Sequence, residues 1–164
     1  MIKLLVLDVD GCMTDGRITY DANGVESKSF NVKDGLAIVS WMKLGGEVAI
    51  ITGRKSTIVE HRAKELGIKH LYQGVKNKLE VLQTLLIKLE ITPQEVAAIG
   101  DDLNDYKMLQ YVEYSYTPAN GSSFIQEIVY GKLQSKGGEG AVREMIEDLF
   151  HLNNQVEEFL KIWQ

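Results

Sequence analysis

Short apolar runs alternate with longer amphipathic segments along most of the chain. The runs predict strands, and apolar residues at helical spacing predict helices. The predicted strands cover 2–7, 48–51, 68–72, 96–99 and 114–116. The predicted helices cover 34–44, 56–66, 77–90, a short segment ending near 109, 122–128, 141–150 and 153–163. This alternation indicates an α/β fold, a Rossmann-like parallel sheet with helices on both faces.

One segment, residues 17–30, interrupts the alternation. Two strand-like runs, 17–20 and 25–30, flank the sequence Asp21-Ala22-Asn23-Gly24. Asn-Gly between such runs indicates a β-hairpin, because both residues tolerate positive φ. We therefore predict a hairpin that protrudes from the main sheet of a single domain spanning residues 1–164.

Polar residues follow three of the predicted strands. Asp8 and Asp10 come directly after the first strand, and their side chains leave an extended backbone on the same side, roughly 6–7 Å apart. Thr52 and Asp101 follow two further strands. Ligands of open α/β sheets bind beyond the carboxyl ends of the strands. The convergence favours a functional site over two solvated aspartates in a turn, and paired carboxylates attract a cation or share a proton.

Composition narrows the classes of function. The net charge of −5 gives no reason to expect nucleic acid or an anionic membrane as a partner. The single cysteine, Cys12, excludes an internal disulfide, which fits a reducing compartment. No segment is typical of a signal peptide or a membrane span. We predict a cytoplasmic protein.

Four motifs, in order along the chain, resemble those of the haloacid dehalogenase superfamily. They are Asp-x-Asp-Gly-x-x-Thr at 8–14, the threonine Thr52, the lysine Lys78 and Gly-Asp-Asp-x-x-Asp at 100–105. Each motif alone is weak, but the ordered set is specific. Members of the superfamily usually carry a cap domain between the first and second or the second and third motifs. Both gaps are too short for one here, so the chain resembles the capless branch.

The resemblance implies a phosphomonoester hydrolase that depends on Mg²⁺ and forms an aspartyl-phosphate. Asp8 would be the nucleophile, and Asp10 would be the general acid and base. The carboxylates of Asp8 and Asp101 and the backbone carbonyl of Asp10 would hold Mg²⁺. Thr52 and Lys78 would hold the phosphoryl oxygens.

Further residues are expected around this centre. The predicted substrate contacts, besides Thr52 and Lys78, are Gly53, Arg54, Arg62 and Asn104. Asp102 and Asp105 are expected to support the metal-binding residues through water or hydrogen bonds. An arginine could bind a carboxylate of the substrate, whereas an exposed helix arginine without a role is the ordinary alternative. Sequence leaves open which subunit supplies Arg62, or Arg143 after the glycine-rich loop, to a site.

Within the capless branch, the expected substrate is the sugar phosphate 3-deoxy-D-manno-octulosonate 8-phosphate, an intermediate in making the inner sugar of lipopolysaccharide. A phosphatase for a nine-carbon, sialic-acid-like 9-phosphate is the closest alternative. Arg54 favours the octulosonate, because the other group tends to carry an acidic residue there. A non-catalytic tetramerisation module is a further alternative, and the complete set of motifs argues against it.

The resemblance also implies a homotetramer, in which four hairpins build a central barrel and a neighbouring subunit covers each site. The hairpin carries Ile18, Tyr20, Val25 and Phe30, and an isolated two-stranded hairpin is marginal in water. Packing hairpins from several subunits would cover these side chains. A hairpin folded back on its own subunit as a small lid is the alternative.

Overall fold

The computed structural model describes residues 1–164 and contains eight strands. These are β1 (Leu4–Leu7), β2 (Thr19–Tyr20), β3 (Glu26–Ser27), β4 (Glu47–Ile51), β5 (His70–Tyr72), β6 (Val96–Ile99), β7 (Tyr114–Thr117) and β8 (Gly131–Lys132). Six of them form one sheet in the order β5-β4-β1-β6-β7-β8, and every pair in it is parallel. The predicted parallel α/β fold is confirmed.

Seven helices accompany the strands. They are α1 (Val32–Lys43), α2 (Thr57–Leu66), α3 (Lys78–Leu89), α4 (Tyr106–Tyr111), α5 (Ser123–Gln126), α6 (Ala141–Leu152) and α7 (Val156–Lys161). Helices α1, α2, α6 and α7 pack on one face of the sheet, and α3, α4 and α5 pack on the other. None of these helices combines the length and the apolar character needed to cross a bilayer.

Strand β1 lies at the centre of the sheet and is fully buried. Leu5 and Leu7 face one core, whereas Leu4 and Val6 face the other, as the alternation of side chains along a strand requires. The residues that follow β1 therefore leave the sheet between the two strands that pair with it, β4 and β6. This position is central in the sheet and is held by a strand on each side.

Several helices and strands begin or end at other residues than predicted. Helix α1 begins two residues before the predicted start, because the Asn31 side chain accepts a hydrogen bond from the Lys33 N–H at 2.8 Å and caps it. The predicted helices at 122–128 and 153–163 are shorter in the structure. Strand β8 was not predicted, because its two residues carry no apolar run.

The hairpin is shorter than predicted, and its turn has a different form. Thr19–Tyr20 pairs with Glu26–Ser27 only. The Asp21 N–H donates to the Val25 carbonyl at 3.0 Å, and the Gly24 N–H donates back to Asp21 at 3.0 Å. Only Gly24 has a positive φ, of 77°, so the loop contains a turn followed by a left-handed glycine rather than a tight two-residue Asn-Gly turn.

Candidate active site

The loop after β1 forms the floor of the site. Asp8 follows the strand directly, and its N–H donates to the carbonyl of Ile99 on β6 at 3.2 Å. The chain then turns over Val9–Met13, where Gly11 has a φ of 97°. A Cβ at Gly11 would lie 2.0 Å from Asp101 Oδ2. Glycine is therefore required both by the backbone conformation and by the close approach of the Asp101 carboxylate.

Lys78 joins the floor of the site to the loop after β6. It is the first residue of α3, after the N-cap Asn77. Lys78 Nζ donates to Asp8 Oδ1 at 2.7 Å and to Asp105 Oδ1 at 2.6 Å. The three side chains are at most 5% exposed, so these ion pairs are shielded from water. The structure thus brings together three of the predicted site residues.

Asp105 also shapes the turn that carries Asp101. Its Oδ2 accepts hydrogen bonds from the N–H groups of Asp101 at 3.1 Å and Asp102 at 3.4 Å. Asp102 is exposed, and its side chain accepts from the Leu103 N–H at 2.8 Å. Asp105 therefore supports the backbone of the predicted metal ligand Asp101, whereas the Asp102 side chain caps the short helical turn that follows it.

The buried cluster carries more negative than positive charge. Burial, together with the neighbouring Asp105, raises the pKa of Asp8 to about 8 despite the opposing effect of Lys78. Burial, Asp105 and Asp102 raise the pKa of Asp101 to about 6. Burial would lower the pKa of Lys78, but Asp8 and Asp105 outweigh it and the pKa rises. Lys78 therefore stays charged, and its single positive charge cannot balance Asp8, Asp101 and Asp105 when all three are ionised.

The donors at this point suit a hard divalent cation. Carboxylate oxygens of Asp8 and Asp101 and the Cys12 sulfur lie within 4.8 Å of one another. Mg²⁺ prefers oxygen ligands, so the two carboxylates fit it and the thiol does not. Burial, together with Asp8 and Asp101, raises the pKa of Cys12 further, which keeps this buried side chain a neutral thiol.

Asp10 has its own basic partner, Lys28 on the hairpin. Lys28 Nζ donates to Asp10 Oδ1 and lies 3.1 Å from Glu26 Oε1. The Lys28 side chain is 1% exposed. The sequence analysis missed this residue. The available signal was the opposite charges of Glu26 and Lys28 two residues apart, which places them on the same face of an extended strand.

The loop after β4 supplies the rim. Thr52 is buried, and its backbone is held by hydrogen bonds to Tyr72 at 3.0 Å and from Val75 at 3.1 Å. A Cβ built at Gly53 would lie 3.7 Å from Asn104 Nδ2, so these two predicted substrate contacts face each other. The Thr52–Gly53 loop and the Asn104 loop therefore form neighbouring parts of one rim.

Arg54 lies on the same loop as Thr52 and reaches the hairpin. Its Nη2 lies 3.3 Å from both Glu26 Oε1 and the Tyr20 hydroxyl. The Arg54 side chain remains 42% exposed. This arginine therefore connects the loop after β4 to the hairpin and retains access to solvent.

Within one chain, Arg62 and Arg143 are engaged away from the carboxylate cluster. Arg62 pairs with Glu65 at 2.8 Å and lies over the Phe30 ring, 5.5 Å from its centroid. Arg143 pairs with Glu147 at 2.5 Å along α6. The structure does not bring either arginine to Asp8 of its own subunit.

The glycine-rich loop before α6 supports the first loop. The Gly138 N–H donates to the Cys12 carbonyl at 3.1 Å. A Cβ at Gly137 would lie 1.8 Å from the Gly11 carbonyl oxygen. The two loops approach so closely that glycine is needed at this contact, which gives the loop a packing role beside the site.

Comparison with known proteins assigns the chain to a class. A family model described as haloacid dehalogenase-like hydrolase matches residues 70–145. The chain is 44% identical over 157 residues to the 3-deoxy-D-manno-octulosonate 8-phosphate phosphatase of Escherichia coli (strain K12), with 96% of this chain and 84% of that protein covered. The chain therefore belongs to the haloacid dehalogenase-like hydrolases, and the predicted membership is confirmed.

Two solved structures add to the comparison. A 3-deoxy-D-manno-octulosonate 8-phosphate phosphatase from Moraxella catarrhalis, in complex with magnesium, phosphate and KDO, has a TM-score of 0.96 and 40% identity, covering 99% of this chain and 94% of that one. The cobalt-bound deoxy-D-mannose-octulosonate 8-phosphate phosphatase from Haemophilus influenzae has a TM-score of 0.90 and 36% identity, covering 93% and 90%. The likeness therefore extends over nearly the whole fold.

Proposed function

We propose that this protein is a Mg²⁺-dependent phosphatase that hydrolyses 3-deoxy-D-manno-octulosonate 8-phosphate, in making a lipopolysaccharide sugar. The observation that carries the proposal is the cluster in which Lys78 pairs with Asp8 and Asp105, and in which the carboxylates of Asp8 and Asp101 lie within 4.8 Å of each other. The relatives of the same name support the substrate, because the similarity covers 96% of this chain. The structure described as holding magnesium, phosphate and KDO supports both the metal and the sugar.

Asp8 is the nucleophile in this proposal. One of its carboxylate oxygens attacks phosphorus, the bond from phosphorus to the sugar oxygen breaks, and an aspartyl-phosphate forms. Asp8 lies at the end of the rigid central strand, with one oxygen held by Lys78 at 2.7 Å. This bond orients the carboxylate, and the charge of Lys78 favours its ionised form.

Asp10 moves the protons. It gives a proton to the departing sugar oxygen, then accepts one from the water that attacks the aspartyl-phosphate. The second step releases inorganic phosphate and regenerates Asp8. A sugar alcohol is a poor leaving group, so this proton transfer matters most for the natural substrate.

Charge around the phosphoryl group is balanced by cations. The Asp8 and Asp101 carboxylates and the Asp10 backbone carbonyl would hold Mg²⁺, which supplies positive charge to a phosphate oxygen when bound. Thr52 and Lys78 hold the other phosphoryl oxygens. Asp105 keeps the Asp101 turn in place by accepting from the Asp101 N–H, and Asp102 accepts from the Leu103 N–H in the turn that follows.

The sugar acid is recognised at the rim. Gly53, Arg54 and Asn104 would contact the sugar acid, and Arg54 offers an exposed guanidinium for a carboxylate. Within its own chain, Arg62 pairs with Glu65 and lies over the Phe30 ring. We propose that it serves the site of a neighbouring subunit.

The assembly that would permit this contribution is a homotetramer built on the hairpin. Ile18, Tyr20 and Val25 of the hairpin are 50%, 56% and 62% exposed in the single chain. Packing of hairpins would remove this apolar surface from water. A cytoplasmic location completes the proposal, supported by the single cysteine, since structural disulfides are rare in that compartment.

A phosphate-release assay over sugar phosphates of six to nine carbons tests the function. The octulosonate 8-phosphate should give the highest kcat/KM with Mg²⁺, and chelation of the metal should abolish turnover. A higher kcat/KM for the nonulosonate 9-phosphate would replace the proposed substrate. Absence of turnover on every sugar phosphate, in protein that binds Mg²⁺, would instead favour the non-catalytic module.

A further inference from the structure

The hairpin buries a charged side chain while it exposes apolar ones. Lys28 is 1% exposed, although lysine is among the residues least often buried. Tyr20 and Val25 on the same hairpin are more than half exposed. Burying an ammonium group costs free energy unless partners compensate it. The placement of Lys28 therefore points to a specific interaction.

The partners of Lys28 form a chain of contacts from the site to the hairpin. Asp10 accepts a hydrogen bond from its ammonium group, and Glu26 forms an ion pair with it at 3.1 Å. Arg54 continues the chain, because it contacts Glu26 and Tyr20 at 3.3 Å. The network thus begins at the proposed acid and base and ends on an exposed ring of the hairpin.

The contact with Lys28 restricts the side chain of Asp10. That side chain is 20% exposed, and its one hydrogen bond is the one that it accepts from Lys28. A hydrogen bond between two charged groups is stronger than a neutral one and directional. Lys28 holds Oδ1 of Asp10 and leaves Oδ2 to carry the transferred proton.

We propose that Lys28 is a positioning residue for Asp10, and that through it the placement of the hairpin controls the proton-transfer step. The inference rests on the proposed function, in which Asp10 protonates the sugar oxygen. The plain alternative is that Lys28 only anchors the hairpin to its own subunit. If Lys28 positions Asp10, the loss of activity on removing Lys28 should depend on whether the leaving group needs a proton. If Lys28 only anchors the hairpin, the loss should be the same for both kinds of leaving group.

Kinetics of Lys28→Met, Lys28→Arg and the control Lys33→Met separate the two roles. Lys33 is exposed and forms no ion pair, so its substitution should leave activity unchanged. Loss of positioning should lower kcat for the sugar phosphate by about 10–100-fold. For p-nitrophenyl phosphate, whose leaving group needs no proton, the loss should stay within about threefold. Lys28→Arg should recover most of the activity, because it keeps the charge and the donors.

The double variant Asp10→Asn with Lys28→Met completes the test. If Lys28 acts through Asp10, the double variant should hydrolyse the sugar phosphate no more slowly than Asp10→Asn alone. An equal loss for both substrates in Lys28→Met, or a further loss in the double variant, would overturn the inference and leave an anchoring role.

A crystal structure of Lys28→Met provides a readout that needs no activity. The Asp10 carboxylate should occupy a new rotamer, whereas an unchanged rotamer would contradict positioning. If the wild type hydrolyses no sugar phosphate, the proposed function fails, and the structure still decides whether Lys28 orients Asp10. If Asp10→Asn itself shows no dependence on the leaving group, the acid role of Asp10 fails instead.

Discussion

Two buried lysines each hold a pair of carboxylates at the site, but they stand on different parts of the molecule. Lys78 joins Asp8 to Asp105, and the partners are at most 5% exposed. Lys28 joins Asp10 to Glu26, whose side chains are 20% and 18% exposed. One cluster is enclosed in the domain, and the other lies between the domain and the hairpin.

The difference separates the two chemical tasks. The Lys78 cluster is fixed by β1, α3 and the turn after β6, which pack on the two cores, so the proposed nucleophile Asp8 lies on a rigid base. The Lys28 cluster depends on two-residue strands, which are marginal alone. We therefore expect the nucleophile to be indifferent to assembly and the acid and base to depend on it.

Removal of the nucleophile should have the largest effect. Asp8→Asn should abolish turnover on every substrate, because an amide neither attacks phosphorus well nor binds the metal strongly. Phosphate release, measured in protein prepared free of wild type, checks this expectation. Retention of more than a few per cent of activity would disprove the role of Asp8.

Removal of the acid and base should have a smaller and selective effect. Asp10→Asn keeps the backbone carbonyl but cannot transfer a proton, so turnover of the sugar phosphate should fall about 10²–10⁴-fold. Comparison with p-nitrophenyl phosphate, which should lose less, is the control. An equal loss on both substrates would count against the acid role.

The two lysines should differ in their effect on stability. Lys78→Met leaves buried carboxylates unpaired and should lower the free energy of unfolding of metal-free protein by about 3–5 kcal/mol. Lys28→Met affects a more exposed cluster and should cost about 1 kcal/mol or less. Urea denaturation of both variants with a chelator present measures the difference. Equal losses would contradict the proposed contrast.

Shortening the hairpin should disrupt the tetramer but have little effect on the reactivity of Asp8. Replacing residues 20–27 with a short turn should give monomers on light scattering. Binding of the sugar phosphate should weaken more than hydrolysis of p-nitrophenyl phosphate, because Asp8 and Lys78 are left intact. A wild-type protein that is monomeric at micromolar concentration and fully active would exclude the tetramer and favour a lid.

The smallest expected effect is on the pH dependence of stability, and it comes from Asp34, a buried carboxylate with no lysine partner. Asp34 has one oxygen without a partner, and burial raises its pKa from 3.8 to about 6. The folded state therefore binds this proton more tightly than the unfolded state, and the stability that it contributes is lost as pH rises through that range.

Asp34→Asn should remove this part of the pH dependence. The free energy of unfolding of wild type, relative to the variant, should fall between pH 3.8 and about 6 and stay level above. Parallel denaturation series at several pH values test this. A constant difference between the two proteins would show that Asp34 titrates normally in the fold.

Features that depend on residues close together in the sequence could be predicted from it. Apolar runs located β1, β4 and β6, and Asn77 marked the start of α3. The order of Asp8, Thr52, Lys78 and Asp101 indicated the family, and their places after strands indicated a common edge. Local patterns sufficed here because a parallel α/β fold has few arrangements that bury such strands.

Tertiary structure decided which charges meet. Lys28 and Asp10 are 18 residues apart, and no periodicity connects a hairpin strand with the loop after β1. Arg62, an expected substrate contact, lies over the Phe30 ring of its own chain, and no local pattern indicated that contact. A lysine or arginine side chain is long enough to reach several possible partners. Which partner lies within reach depends on where the fold places segments that are distant in sequence. The sequence alone therefore determined the elements and the candidate chemistry, and only the packed chain determined how the hairpin joins the site.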